Sequence, residues 1–396
     1  MKLGIRKLKI SVVAAALAFM GFAACSGGDT DSLTIQVDYA HDEFAGSLFG
    51  FFPNQVTVNP GTTLKFRQTW TGEPHTVTLG TQVTELAKPF KELVDEVHKT
   101  GDVPEEPEGY QFFEEGLPSF FGATIGQAAA QPCYAKTVEE MPLDGTACPT
   151  KALQPFKGDE AYYSSGFIPF EGLKGNTFEI PIAEDANPGK YLYYCNAHAI
   201  PMSGYINVSD GEQSSQSELN RQAKVEADRT AKVLLETYKD EKAGKSKIKG
   251  NLAGSGDERT ESAFGTVNEF TPRNIEANVG EKVTWTFIGY HTISFNVPPY
   301  APVFKVAKNG KVSFNDELDQ PAGGWPGRTP PTPDDFREEP PVVSIDAGTF
   351  DGSGGLKSSG TDWVTGDKYS VTFTKKGSYP YACIVHPGMI GKVVVK

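Results

Sequence analysis

The body of this 396-residue chain has little positive charge and no long apolar run. A membrane-spanning helix needs about 20 consecutive apolar residues, and no stretch beyond the first 24 residues provides them. Those 24 residues hold four of the 37 Lys and Arg residues and none of the 50 acidic residues, so the remainder carries 33 cations and a net charge of −17. Such an acidic chain is unsuited to binding nucleic acid.

The first residues have the pattern of an export signal. A basic region with Lys2, Arg6, Lys7 and Lys9 precedes an apolar run from Ile10 to Ala24. The run ends in Phe22-Ala23-Ala24-Cys25, which resembles a bacterial lipobox with Phe22 in the place of the usual Leu. The resemblance implies that residues 1–24 are removed, that Cys25 is lipidated and that residues 25–31 form a tether. The alternative is an ordinary secretory signal cut nearby, and in both cases the mature protein is exported.

Only five cysteines are present, and they fall into three groups. Cys25 is the predicted anchor. Cys133 and Cys148 bracket a loop of 14 residues, which in an oxidising compartment favours a disulfide. Cys195 and Cys383 remain; they could pair with each other, but their surroundings indicate another role.

The chain contains two copies of one unit. Phe52 to Gly61, continuing to His75, matches Phe270 to Gly280, continuing to His291. The segments that follow each glycine alternate apolar and polar residues with the period of two that is typical of strands. A later segment, Gly189 to Cys195, aligns without gaps on Gly377 to Cys383. The repeat predicts an all-β protein with two Greek-key β-sandwich domains.

The spacing of the repeat predicts the domain boundaries. Domain 1 spans residues 32–208 with an insertion at about 82–165, and domain 2 spans 263–396 with an insertion at about 298–361. The first insertion has the apolar spacing of one amphipathic helix from Glu85 to His98. His98 is expected to be a cation at the end of this helix, where the helix dipole favours positive charge. The second is rich in Pro and Gly and indicates an irregular cover. Residues 209–262 form a linker, helical at 214–247 and flexible at 251–260.

Each unit contains two imidazoles, one thiol and one thioether at matching positions. This donor set is typical of a blue-copper centre, in which two His and one Cys bind copper in a plane and a Met binds weakly on the axis. The predicted ligands are His75, Cys195, His198 and Met202 in the first unit and His291, Cys383, His386 and Met389 in the second.

In these residues the chain resembles the cupredoxin family, which includes plastocyanin, amicyanin and pseudoazurin. The resemblance implies two type 1 copper ions and electron transfer. It implies that Thr76 and Thr292 each donate a backbone N–H to the thiolate, and that His198 and His386 lie near the surface in an apolar patch. The first loop departs from the short pattern by one residue and places Pro201 directly before Met202.

Other functions use similar folds. Multicopper oxidases need paired histidines, but the six histidines here include no His-x-His. Nitrite reductases bind a catalytic copper through a histidine beside the cysteine, where this chain has Tyr194 and Ala382. A binuclear copper centre would need a second cysteine in each loop. Copper storage or delivery at the cell surface would use the same ligands and stays an alternative.

The acidic balance is compatible with a basic redox partner such as a cytochrome, or with a membrane oxidase or reductase complex. An acidic stretch from Glu105 to Glu108, with Glu114 and Glu115, could dock such a partner or could form a solvated loop. The linker leaves both a compact and an extended arrangement of the two units open.

Overall fold

A computed structural model provides the three-dimensional structure of the chain. The described residues all lie in one compact unit, Asp31–Lys396. The structure describes residues 32–102, 132–140, 153–168, 177–196, 198–257, 260, 264–298, 304–306, 312–314, 341–362 and 364–396. The export signal, Cys25, Cys148 and the acidic stretch with Glu114 and Glu115 lie outside the described residues.

Two β-sheets form the first half of the described chain. The first has the order β3-β1-β5-β9, and the second has the order β4-β11-β10-β6-β8-β7. Burial alternates along β1 and β5, as the period of two predicts. The strands are β1 (Ser32–Val37), β3 (Phe51–Phe52), β4 (Gln55–Val58), β5 (Thr63–Gln68), β6 (Thr78–Leu79), β7 (Cys133–Ala135), β8 (Tyr162–Ser164), β9 (Thr177–Pro181), β10 (Gly189–Cys195) and β11 (Ala199–Val208).

The second half repeats this architecture. One sheet has the order β19-β21-β15-β12-β13-β2, and the other has the order β14-β23-β22-β16-β20. β17 (Phe304–Val306) and β18 (Val312–Phe314) form a separate hairpin. The sheet strands are β2 (Gly46–Leu48), β12 (Asn251–Ser255), β13 (Gly265–Thr271), β14 (Asn274–Ala277), β15 (Lys282–Phe287), β16 (Ser294–Phe295), β19 (Ser344–Phe350), β20 (Lys357–Ser358), β21 (Lys368–Phe373), β22 (Gly377–Ala382) and β23 (Ile390–Val395).

Backbone pairing joins the two halves directly. β2 belongs to the first half by sequence, but it pairs antiparallel with β13 and becomes the edge strand of a second-half sheet. Phe49 N donates to Phe264 O at 3.0 Å, which continues the connection beyond the strand. Of the two arrangements that the linker left open, the structure has the compact one.

The linker helix packs against both halves. α3 (Gln216–Lys242) begins after Ser215, whose side chain accepts a hydrogen bond from Glu218 N and caps the helix. One apolar face of this helix is buried against β1, β3, β12 and β13. Its fully covered members are Leu219, Ala223, Ala227, Ala231, Leu234 and Tyr238. Small alanines allow the helix to lie close to the strands, and the linker is therefore part of the packed structure.

The rest of the predicted linker also differs from expectation. The segment expected to be a flexible tail contains β12, which pairs antiparallel with β13 and parallel with β15. β12 repeats the pairing of β1 with β5, so it is the first strand of the second sandwich. The prediction of flexibility for 251–255 was wrong because the Gly and Ser content of the segment hid a strand that is defined by its partners.

The two predicted insertions include sheet strands. β7 and β8 extend a sheet of the first half, and β19 and β20 are edge strands in the second half. The repeat is therefore longer than the sequence comparison indicated. A matching Ser-Ser-Gly triplet, Ser164–Gly166 and Ser358–Gly360, was a signal of this extension.

The predicted helix from Glu85 to His98 is broken. α1 (Thr81–Ala87) is followed by a 3₁₀ turn at Lys88–Phe90 and then by α2 (Lys91–Thr100). Pro89 lies in the turn, where it cannot donate the hydrogen bond that a continuous helix would need. α2 still buries Val94 and Val97, so the amphipathic pattern was correct for the second segment.

His98 has a different role from the predicted helix-end cation. Its Nε2 donates to Ser203 O at 2.8 Å, next to Met202. Burial lowers the pKa of His98 to about 4, so the imidazole is neutral at neutral pH. The prediction of a charge here was wrong because the helix end is covered by β11, a contact that the sequence of the helix does not reveal.

None of the helices among the described residues is long and apolar enough to cross a membrane. Cys133 is buried on β7. Since Cys148 is not among the described residues, the disulfide between them stays a prediction.

Candidate metal centres

Two clusters of two histidines and one cysteine occur among the described residues, one in each half. Both contain the predicted His and Cys ligands and nothing else. In each half, one His follows a central strand of one sheet. The Cys lies at the end of a strand of the other sheet or directly after it, and the second His lies in the loop before the next strand. The repeat in the sequence therefore corresponds to a repeat of sites.

In the first cluster, three donor atoms converge. Nδ1 of His75 lies 3.1 Å from Nδ1 of His198. Sγ of Cys195 lies 3.9 Å from the first nitrogen and 3.6 Å from the second. His75 and Cys195 are completely buried, while the side chain of His198 is 15% exposed.

The second cluster has nearly the same dimensions. Nδ1 of His291 lies 3.1 Å from Nδ1 of His386, and Sγ of Cys383 lies 3.7 Å from the latter. All three residues are buried, and His386 is only 1% exposed. The expected surface position of His386 is therefore wrong, because residues of the first half cover it.

The environment of each thiol matches between the halves. Thr76 N donates to Cys195 Sγ at 3.3 Å, and Thr292 N donates to Cys383 Sγ at 3.4 Å. This confirms the contact that the family resemblance implied. Each threonine hydroxyl also accepts from the residue after the cysteine: Asn196 N at 2.8 Å and Ile384 N at 2.9 Å. In each half, one threonine therefore forms hydrogen bonds both with the thiol and with the backbone directly after the cysteine.

The histidines favour ionised thiols. Burial opposes ionisation, but His198 and His75 together hold the pKa of Cys195 well below its ordinary value. His291 and His386 do the same for Cys383 against a similar penalty. A thiolate is the form that binds metal.

The two predicted methionine ligands lie in the hydrophobic cores. Met202 and Met389 are both completely buried. Met389 is in a tight turn in which its N donates to His386 O and its O accepts from Cys383 N. Met202 lies in an irregularity of β11, where the register with β10 shifts between Tyr194 and Cys195. The extra residue of the first loop lies in this irregular part of the hairpin, and the ligand role of both methionines stays a prediction.

Asp38 is a residue of the first site that the sequence did not reveal. It is completely buried, and its Oδ2 accepts from His75 Nε2 at 3.1 Å. The carboxylate also accepts from Leu48 N at 2.8 Å and from Thr71 Oγ1 at 2.6 Å. A carboxylate behind a metal-binding imidazole fixes the ring and its tautomer. Asp38 has a φ of 57°, which is unusual for a residue other than glycine.

Gly254 takes the equivalent place in the second half, directly after the β12 residues that pair with β15. It also has a positive φ, of 90°. A Cβ here would lie 2.5 Å from His291 Nε2 and 1.9 Å from Ile288 O, so no side chain fits. Within the described part of the chain, His291 Nε2 is buried without a hydrogen-bond partner. The second site therefore lacks the carboxylate of the first.

Because of this difference, the pKa values of His75 and His291 are shifted in opposite directions. Burial disfavours protonation of both, but Asp38 and Cys195 outweigh it and raise the pKa of His75. Burial dominates at His291 and lowers its pKa. The repeat in the sequence aligned the predicted ligands but gave no sign of this difference, because Asp38, directly after β1, and Gly254, in β12, are far in sequence from the ligand motifs.

Glu73 is the second residue that the sequence reasoning missed. Its Oε1 accepts from His386 Nε2 at 3.1 Å, and its Oε2 lies 3.8 Å from His198 Nε2. Its position two residues before His75 was the available signal, since the second unit has Gly289 at the matching place. One carboxylate therefore lies between a histidine of each cluster.

Residues 344–396 match the family model of copper binding proteins, plastocyanin/azurin family. The matched segment includes Cys383, His386 and Met389.

Solved cupredoxin structures are similar to parts of the chain. A purple cupredoxin from Nitrosopumilus maritimus is 23% identical, with 33% of this chain and 83% of that chain covered and a TM-score of 0.17. An oxidized amicyanin variant is 21% identical over 31% and 70%, with a TM-score of 0.17. Reduced auracyanin from Roseiflexus castenholzii is 13% identical over 46% and 99%, with a TM-score of 0.23. No curated protein matches the chain.

The geometry of both clusters fits a copper ion. The usual length of a metal–imidazole bond is about 2.0–2.1 Å. Two nitrogens bound to one ion at that length lie about as far apart as the paired Nδ1 atoms of each cluster. The Nε2 atoms of His75, His198 and His386 face carboxylates, which leaves each Nδ1 for the ion. Imidazole and thiolate in this combination suit both oxidation states of copper.

The role of Asp38 can be tested with Asp38→Asn. Asn tolerates a positive φ, so the backbone is retained while the charge behind His75 is lost. We expect the copper affinity of the first site to fall by about 10–100-fold and that of the second site to stay unchanged. A chelator competition followed by EPR measures both affinities.

Asp346→Asn, which removes an exposed carboxylate paired with Lys282, is the control. Equal losses at both sites in Asp38→Asn, or no loss at the first, would contradict the assigned role.

Proposed function

We propose that the protein is an extracytoplasmic electron-transfer protein with two type 1 copper centres. This proposal rests mainly on the pair of buried clusters of two His and one Cys, each with a backbone N–H directed at its thiol. The match of residues 344–396 to a copper-binding family supports copper as the metal of the second site. The repeated geometry supports the same metal at the first.

The residues of each site would keep the geometry constant. Bound copper would supply one-electron chemistry by changing between Cu(I) and Cu(II). Thr76 and Thr292 hold the thiolates, and the buried cores around Met202 and Met389 exclude water. A site that is fixed by the surrounding structure changes little on reduction, and this supports fast transfer. Retention in such closed sites also favours electron transfer over copper delivery.

Copper content and spectra test this function directly. We expect two type 1 copper ions in the wild-type protein and loss of one in each of Cys195→Ser and Cys383→Ser, because only a thiolate gives the blue centre. The measurement combines metal analysis with visible and EPR spectra. Each variant serves as the control for the other, since its second site is intact.

Unchanged copper in one variant would contradict the assignment of that site. Colourless protein with easily removed copper would instead support storage or delivery.

We propose redox proteins as the partners, such as a basic cytochrome or a membrane oxidase or reductase complex. The net charge of −17 for residues 25–396 supports a basic surface on the partner. We expect electron exchange with a basic cytochrome to slow as the salt concentration rises, because mobile ions screen charges beyond about 10 Å at 0.1 M. Stopped-flow kinetics measures this; a rate independent of salt would contradict electrostatic docking.

We propose a lipid anchor at Cys25 for the exported protein. Cys25→Ser removes the lipidation site, so we expect the protein to leave the membrane fraction while it keeps its copper. Fractionation with copper analysis of each fraction tests this. Arg6→Lys, which keeps the positive charge of the signal region, is the control and should not change the distribution. A membrane-bound Cys25→Ser protein would contradict the anchor.

A further inference from the structure

The two candidate copper sites face each other across the contact between the halves. Glu73 lies in the loop between β5 and His75, and its side chain is 17% exposed. Its two carboxylate oxygens are directed at different sites, one at His386 and one at His198. The Nδ1 atoms of the same rings point into the two metal clusters. Two imidazoles and one carboxylate thus form a continuous chain of groups from site to site.

The loop around Glu73 fits closely over the second site. Gly72 has a φ of 113°, and a Cβ there would lie 2.5 Å from Val385 O and 2.6 Å from His386 Cδ2. Only glycine allows this approach. The contact accounts for the 1% exposure of His386 and leaves its ring edge against the first half.

The first site keeps more access to solvent. The ring of His198 stacks on Phe49 with centroids 4.3 Å apart, and Phe49 in turn contacts Phe264 of the second half. The His198 side chain is still 15% exposed. Of the two histidines that follow the cysteines, only this one can be approached from outside.

We propose that Glu73 connects the two copper sites into one relay, in which an external electron enters at the first site and reaches the second through His198, Glu73 and His386. This rests on the proposed function. One electron leaves the reduced first site and arrives at the oxidised second site; no bond forms or breaks and no proton moves. The external one-electron donor then reduces the first site again.

The physical basis is the distance dependence of electron tunnelling. Tunnelling slows steeply with separation, and hydrogen-bonded contacts carry it better than gaps between atoms. A path of two imidazoles joined by one carboxylate is short and has no solvent gap wider than the 3.8 Å contact. A direct route from solvent to the second site must instead pass the covering loop.

Single-site variants test the relay. With ascorbate as the donor, we expect the blue band of the second site in Cys195→Ser to disappear at least an order of magnitude more slowly than in the wild type. The first site in Cys383→Ser should be reduced at the wild-type rate. Equal rates for the second site with and without the first would overturn the proposal, while loss of the blue band in both variants would contradict the proposed function instead.

A second variant separates the relay from a merely structural effect. In Glu73→Ala with both cysteines intact, the carboxylate between His198 and His386 is lost. We expect the blue band of the second site to disappear at least an order of magnitude more slowly than in the wild type, while the first site is reduced at the wild-type rate. Glu179→Ala, which removes a 55% exposed carboxylate of the same half, is the matched control and should keep the wild-type rates at both sites. Reduction of the second site at the wild-type rate in Glu73→Ala would overturn the role of Glu73.

Pulsed EPR on the fully oxidised wild-type protein provides a readout that does not depend on turnover. Sites that face each other through one carboxylate should give a strong dipolar coupling between the two Cu(II) spins. The coupling should disappear in either single-site variant. A wild-type protein with two blue coppers but no coupling would refute the face-to-face arrangement while leaving the function intact.

Discussion

A thiolate buried between two imidazoles is the interaction on which this structure depends. A negative sulfur in an apolar core is unfavourable unless a positive partner and hydrogen bonds compensate for its burial. Both halves meet this requirement with the same parts: two converging Nδ1 atoms and a threonine N–H at 3.3–3.4 Å. The strands on either side bring these parts together from opposite sheets. Each sandwich therefore supports one set of these buried groups.

The two sites differ in the residue that lies behind the first histidine. In the first half a buried carboxylate, Asp38, holds His75. In the second half Gly254 leaves no room for a side chain, and His291 Nε2 has no partner in the described structure. A carboxylate raises the electron density that its imidazole offers to a metal. The two clusters therefore differ in the surroundings of the first histidine without any difference in the two His and one Cys that form them.

Contacts between the two halves also cover His386 of the second cluster. β2 crosses into the sheet of the second half, and α3 covers the strands of both. These contacts fix the loop that carries Gly72 and Glu73 against His386. The ring of His386 is covered, and the carboxylate of Glu73 accepts from its Nε2. The packing of the two halves therefore leaves His198 partly exposed and His386 buried.

The sequence by itself determined the ligands and the repeat. His75, Cys195, His198 and their counterparts are adjacent to strands with a clear period of two, so local chemistry and alternation were enough. Only the tertiary structure decided what surrounds them. β12 could not be recognised from its Gly and Ser, and Asp38, Gly254 and Glu73 act on rings that are distant in sequence or belong to the other half. Those contacts depend on how two folded units meet, which no local pattern records.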